Sequence, residues 1–301
     1  MKKVIWVIAL VALVFVGDRV GGMMLKFLTD HSQFRYSRLY KGKGESDILL
    51  VGNSRGLVFY QPYIEEITDA KTFNISYNGM HISLARVLME DYLERHKAPK
   101  LILFEVSMAD YSDEKLIPSF ALHSEESKGI DSLIFHYDPT TAWASKVSHL
   151  YRYNSEVFQR SLYYLNKSDK FWLLDRKIND NVIAELGEME QVEFSLKEER
   201  QEELKRIVDL SKKYGTDIRL VLNPYFPPYA DKIVNLEAWK SQIEALTGEK
   251  VYDYTRAIAD FTSFADYTHL NKYGSKMYIE QLNKDHIFEV DTEAVVLRLK
   301  P

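Results

Sequence analysis

The stretch ILLVGNSRG, Ile48 to Gly56, decides how this chain is read. A continuous run of apolar, β-favouring residues stops abruptly at Gly52-Asn53-Ser54-Arg55-Gly56. A run of that kind, closed by a turn signal, reads as a strand buried on both faces. Two readings fit its end. Ser54 is an ordinary turn residue, or it is a serine nucleophile held at the carboxyl edge of a sheet. The pattern G-x-S-x-G, here "GNSRG", is that of a strained strand-to-helix turn that exposes a serine hydroxyl. Five-residue patterns recur by chance, so the rest of the chain has to decide.

Working outward, the pattern alternates strand and helix. "KTFNISYNGMHISLARVLMEDYLERH" reads as a short strand, a turn at Asn78-Gly79 and a helix with Leu84, Val87, Leu88 and Tyr92 on one face. "PKLILFEVS" carries a second strong strand, Leu101 to Val106. Residues 110–190 loosen into an aromatic stretch that reads as a helical insertion. Alternation then returns. Ser195 and Glu198 predict a capping box for a helix that stops at Gly215. "DIRLVLNP" is a strand, "NLEAWKSQIEALTG" a helix, "KVYDYT" a short strand and "NKYGSKMYIEQLN" a last helix. Such alternation predicts an α/β domain, a parallel sheet covered by helices on both faces, over residues 47–301. The tail from His286 has strand-like alternation and no assigned place.

The 301 residues include no cysteine and carry a net charge of −5. Disulfides and thiolate metal sites are thereby excluded, and nothing in the charge suggests a nucleic-acid partner. His81, His123, His136 and His149 are scattered without metal-ligand spacing, so no metal or organic cofactor is expected. At the N-terminus Lys2 and Lys3 precede Val4 to Val16, thirteen residues without a charged or polar side chain, before Gly17-Asp18-Arg19 interrupts. We read residues 1–25 as an uncleaved membrane anchor that sends the rest of the chain outward. A cleaved signal peptide or a buried N-terminal helix are the alternatives. Residues 26–46, polar and aromatic, read as a linker, either a stalk or an amphipathic lead-in.

A serine hydroxyl needs an imidazole base to act as a nucleophile, and the imidazole needs a carboxylate on its other nitrogen. "FADYTHLNKYGSK" supplies both, Asp266 and His269, in one loop ahead of the last helix, with Asn271 as its N-cap. With these residues in view, the chain resembles the SGNH (GDSL-like) hydrolases. "LLVGNS" is similar to their block I, "NISYNGM" to block II and "DYTH" to block V, together covering about residues 46–110 and 195–285. The resemblance implies a three-layer α/β/α sandwich of flavodoxin-like type, with Ser54 as nucleophile, His269 as base and Asp266 as its orienter. It also implies that Gly79 offers a backbone N–H to the oxyanion. Block I usually has aspartate where this chain has Asn53. Block III usually supplies an asparagine donor, where this chain offers Ser107, with Glu105 and Asp110 beside it; Asn78 and Asn223 are further candidates. Arg55 reads as meeting an anionic substrate or as pairing with a local carboxylate, the pair being the favoured reading.

The nearest resemblance is to membrane-anchored members that add or remove O-acyl groups on bacterial cell-surface polysaccharide. It implies an acylated glycan or acyl donor as substrate and a membrane acyltransferase as a candidate partner. The alternative is a catalytically silent glycan-binding or scaffold domain with the same fold.

Overall fold

Five short strands form a single all-parallel sheet in the computed structural model, which describes residues 2–110 and 113–290. They are β1 (Ile48–Val51), β2 (Thr72–Asn74), β3 (Leu101–Glu105), β4 (Asp217–Leu222) and β5 (Val251–Asp253). Their order is β2-β1-β3-β4-β5. Leu49 is paired with Phe73 on one side and with Ile102 on the other, which places β1 inside the sheet. Every residue of β1, β2 and β3 is buried. That is why these strands read as continuous apolar runs rather than as alternation.

Helices cover both faces, giving the expected α/β/α layers. Gln61–Thr68 and Lys272–Lys284 pack together on one face, where Ile64, Tyr278, Ile279 and Leu282 meet Ile48, Leu50, Leu101 and Leu103. Ile82–Arg95, Glu198–Lys213 and Leu236–Thr247 form the other layer. The chain leaves β1 toward β2 on one side and returns to β3 on the other. The carboxyl ends of β1 and β3 therefore flank the topological switch point, where open α/β sheets of this strand order bind ligands.

The chain divides into two compact units. The sheet unit comprises Gly44–Asp113 and the chain from Lys170 onward; the other joins the N-terminal 43 residues to Glu114–Asp169. The second unit is helical, with Lys2–Asp30, Arg35–Tyr40, Lys128–Tyr137, Pro139–Val147 and Glu156–Tyr163. Two sequence expectations change here. The segment read as a stalk is core: Phe34, Tyr36 and Leu39 are buried, and Arg35 is ion-paired to the buried Asp169 at 2.7 Å. The stretch read as one insertion is split, because residues 170–190 belong to the sheet unit. There the Ile178 N–H donates to the Phe264 carbonyl at 2.8 Å.

The capping box also fails to form. The helix starts at Glu198 with Lys197 as an N-cap that makes no side-chain bond, while Ser195 N–H donates to Asp110. Gly215 ends that helix in the left-handed region as expected, at φ 66°. The unplaced tail lies beyond the described residues from position 291.

The Lys272–Lys284 helix is set by its first turn. Asn271 accepts from the Tyr273 and Gly274 N–H groups. A Cβ at Gly274 would fall 2.2 Å from the Ser263 carbonyl oxygen, a backbone atom with little room to move. We therefore expect Gly274→Ala to cost about 1–3 kcal/mol through overpacking, against the usual preference of helices for alanine. Gly187, in Asp180–Glu188, has nothing near its Cβ position. Gly187→Ala is expected to stabilise by up to about 1 kcal/mol. Urea unfolding of both variants checks the contrast.

Candidate active site

The chain leaves β1 through Gly52 and at once forms a 3₁₀ turn, Ser54–Val58. Both glycines of "GNSRG" are there for space. A Cβ on Gly52 would lie 2.8 Å from Gly56 Cα and 2.9 Å from Glu105 Cβ, and one on Gly56 would lie 2.4 Å from Ser76 Oγ. Asn53 caps the turn, its Oδ1 accepting from the Arg55 N–H at 2.9 Å. A neutral amide thus fixes the turn by accepting a backbone N–H. Asn74, at the end of β2, donates to the Gly56 and Phe59 carbonyls and accepts from Ser76 N–H, which fixes the far side of the turn. Ser54 is left half-buried at the carboxyl end of β1.

The loop 264–271 meets it there. A bridge between Phe264 and Leu270 pinches the loop, and the Ala265 N–H donates to the His269 carbonyl at 2.8 Å. His269 Nε2 lies 2.8 Å from Ser54 Oγ, and its Nδ1 lies 2.8 Å from Asp266 Oδ1. An ionised carboxylate only accepts, so Nδ1 carries the proton and Nε2 is free to accept from the serine hydroxyl. Asp266 Oδ1 also accepts from the Thr268 and His269 N–H groups and from the Thr268 hydroxyl. Its Oδ2 accepts from Arg176 at 2.9 Å. Burial alone would raise the Asp266 pKa. The bond to His269, the attraction of that ring and the two Thr268 donors outweigh it and hold the carboxyl well below the usual carboxylate range.

Arg55, the residue after the serine, is buried and fully engaged. Its Nε lies 3.3 Å from Glu105 Oε1, and its two terminal nitrogens donate to the Thr268 and Asn223 carbonyls. The guanidinium lies 3.6 Å from the centroid of the Tyr225 ring. Arg55 therefore pairs with a local carboxylate, as its place in the sequence suggested. Asn223 returns a bond from its Nδ2 to the Arg55 carbonyl and accepts from the Tyr278 hydroxyl, so its amide belongs to the scaffold.

The expected oxyanion donors divide. Gly79 lies in an exposed turn at φ 66°, a conformation that favours glycine, with open space around it. Asn78 is exposed beside it. Ser107 is buried and its hydroxyl donates to Glu105 Oε2 at 2.6 Å, so its proton is committed to that carboxylate. His81 caps the Ile82–Arg95 helix through Nδ1, and His123 and His149 lie in the helical unit. Sequence reasoning missed Thr268 and Arg176. Thr268 had a signal, since it sits inside the Asp-x-x-His loop; Arg176, ninety positions away in an irregular stretch, had none.

The chain matches no protein-family model, and no curated protein is significantly similar to it. The chemistry is therefore argued from the geometry.

Two outcomes follow. Arg55→Met leaves Glu105 buried without its cation and is expected to cost about 3–5 kcal/mol, most of it recovered when Glu105 is replaced by Gln in the same chain; denaturant unfolding measures both. For Asp266, the folded pKa is depressed, so its stabilisation is present above the ordinary value of ~3.9 and is lost as pH falls through the folded value. Asp266→Asn should melt lower than wild type at neutral pH, and the gap should narrow below about pH 4.

Proposed function

We propose that this protein is a membrane-anchored serine enzyme of SGNH type that transfers or hydrolyses O-acyl groups, most simply acetyl, on a cell-surface or extracellular polysaccharide. The observation that carries this reading is the unbroken chain Ser54 Oγ to His269 Nε2, 2.8 Å, and His269 Nδ1 to Asp266, 2.8 Å, at the switch point of the sheet. Asp266 and His269 lie over two hundred positions from Ser54 in sequence, yet the three align in the order that nucleophilic catalysis needs.

In this mechanism His269 takes the Ser54 proton as Oγ attacks the ester carbonyl carbon. The imidazolium that forms is stabilised by Asp266, which stays ionised. The developing oxyanion is assigned to the backbone N–H groups of Ser54 and Gly79. Collapse expels the alcohol, which takes the proton from His269, and leaves Ser54 acylated. His269 then deprotonates water or a sugar hydroxyl, which attacks the acyl carbon and frees the serine. Water makes the protein an esterase; a sugar makes it a transferase. No step calls for a metal or an organic cofactor.

The N-terminus supports placement outside the cytoplasm. The helix Lys2–Asp30 is long and apolar enough to cross a membrane, and its apolar stretch is wholly exposed. Lys2 and Lys3 precede that stretch and hold this end on the cytoplasmic side. Glycan is the favoured substrate because polysaccharide is the abundant polyol there. Tyr229 and Tyr267, stacked with centroids 5.0 Å apart and Tyr267 within the catalytic loop, offer ring faces for sugars. A membrane acyltransferase is the natural acyl donor for a transferase of this kind.

The second reading, a silent scaffold or glycan-binding domain, draws on Ser107, whose hydroxyl is committed to Glu105. One experiment separates the two. The protein is treated with a fluorophosphonate probe and an aryl acetate. Wild type should label and release acetate. Ser54→Ala should not label, and both it and His269→Ala should lose at least about a thousandfold in turnover. Asp266→Asn should lose about 10⁴-fold in kcat. A folded wild type that neither labels nor turns over decides for the scaffold.

A further inference from the structure

The apolar run of the N-terminal helix is too short to cross a bilayer alone. Val4 to Val16 is thirteen residues, ~20 Å of helix at ~1.5 Å per residue, against a hydrocarbon core of ~30 Å. The missing ~10 Å corresponds to about seven more residues. That carries the hydrocarbon boundary beyond Asp18 and Arg19, toward Met23.

Charged groups at such depth have to be paired and hydrogen-bonded, and these two are. Asp18 accepts from Ser148 Oγ at 2.5 Å, His149 N–H at 2.8 Å and Leu150 N–H at 3.2 Å. Arg19 donates to Asp18 at 3.0 Å and to the Val147 carbonyl at 3.2 Å. It also lies 4.6 Å over the Phe15 ring. The partners all come from the same helical unit. Its segment 147–150 therefore shares whatever depth Asp18 has. Two glycines set this contact: a Cβ on Gly22 would fall 2.4 Å from His149 Cβ, and one on Gly21 2.9 Å from Leu150 Cδ2.

The surface beside this junction is apolar and open. Val147 is 72% exposed and Trp143 60% exposed. They stand four residues apart on the Pro139–Val147 helix, so their Cα atoms differ in depth by at most ~6 Å whichever way that helix runs. Phe135 extends the patch, its ring centroid 6.1 Å from that of Trp143. Lys146 places its ammonium 5.9 and 6.0 Å from those two rings and pairs with Asp131 at 3.0 Å. An aromatic patch with a lysine able to reach outward is the composition of a membrane interface. On the N-terminal helix itself Val20, Met24 and Phe27 are exposed at helical spacing.

We propose that the helical unit is seated in the bilayer that its N-terminal helix crosses, with the Trp143–Val147 face at the boundary between acyl chains and headgroups. This rests on reading that helix as a membrane span. The occupant of the patch is lipid, because the patch is tied to the span at Val147, whose carbonyl accepts from Arg19, and shares its depth through the bonds to Asp18. The unit then has two attachments, and the helix cannot swivel freely against it.

The cysteine-free chain allows single cysteines to be labelled with an environment-sensitive fluorophore. The full chain is reconstituted into phosphatidylcholine–phosphatidylglycerol vesicles, with and without a lipid carrying a quencher on its acyl chain. Val7→Cys reports the span, Trp143→Cys and Val147→Cys the patch, and Lys205→Cys an exposed helix of the sheet unit. We expect blue-shifted emission and quenching by the lipid at positions 7, 143 and 147, and neither at 205. Quenching at 7, with 143 and 147 in water, overturns the proposal and leaves the span standing. Blue-shifted but unquenched labels at 143 and 147 overturn it in favour of a protein partner or a second copy. A label at 7 that is in water removes the span, and the proposal falls with it.

Discussion

The sheet unit is organised around one buried cation. Arg55 follows the candidate nucleophile directly, and its guanidinium bridges Glu105 at the end of β3, the Asn223 carbonyl after β4 and the Thr268 carbonyl in the histidine loop. Glu105 is fully buried, so neither charge tolerates the loss of the other. A buried ion pair adds little net stability over a well-packed apolar pair. What this one adds is register. Arg55 cannot satisfy its donors unless the carboxyl ends of β1, β3 and β4 and the loop carrying His269 all arrive together. The 2.8 Å separation of Ser54 and His269 is then a consequence of the clamp as well as of their own hydrogen bond.

Much of this was legible in the sequence, for identifiable reasons. The strands β1 and β3 are apolar throughout because both faces are covered, so their runs stand out. Asp266 and His269 are close in sequence, so their pairing needs no long-range geometry. Asn271 caps the last helix through local bonds alone. The failures are all long-range. Ser195 looked like a cap, but the Asp110 carboxylate, eighty-five residues away, takes its N–H instead. Residues 26–46 looked like a stalk because aromatic and charged residues alternate there. One of those charges, Arg35, is buried, and Asp169 from the far end of the helical unit neutralises it. No local pattern announces a partner more than a hundred positions away.

The N-terminal helix illustrates the same limit in another form. Hydropathy marks where the apolar run pauses, at Gly17-Asp18-Arg19, and suggests that the membrane ends there. The hydrogen bonds to Asp18 give the pause a different meaning. The polar residues are a docking point for the 147–150 segment, and Gly21 and Gly22 are bare so that the helix can approach it. A charge in an apolar helix marks an edge when it faces water and a joint when protein groups satisfy it.

Ser107 shows how the clamp constrains the chemistry. The resemblance made Ser107 a candidate side-chain donor, but Glu105 accepts its hydroxyl at 2.6 Å while also holding Arg55. Turning Ser107 toward an oxyanion would strip a fully buried carboxylate of one of its two side-chain donors. An oxyanion donor is worth about 3–4 kcal/mol in the transition state; a hydrogen bond to a charged group is worth about 1.5–3 kcal/mol in the ground state. Those magnitudes are comparable, so little drives Ser107 to switch. If acyl transfer proceeds at Ser54, the oxyanion has to be held by main-chain N–H groups. These are fixed by the 3₁₀ turn after β1 and by the positive-φ turn at Gly79, and neither depends on a rotor. The clamp that aligns the candidate nucleophile with His269 thereby also keeps the Ser107 hydroxyl on Glu105.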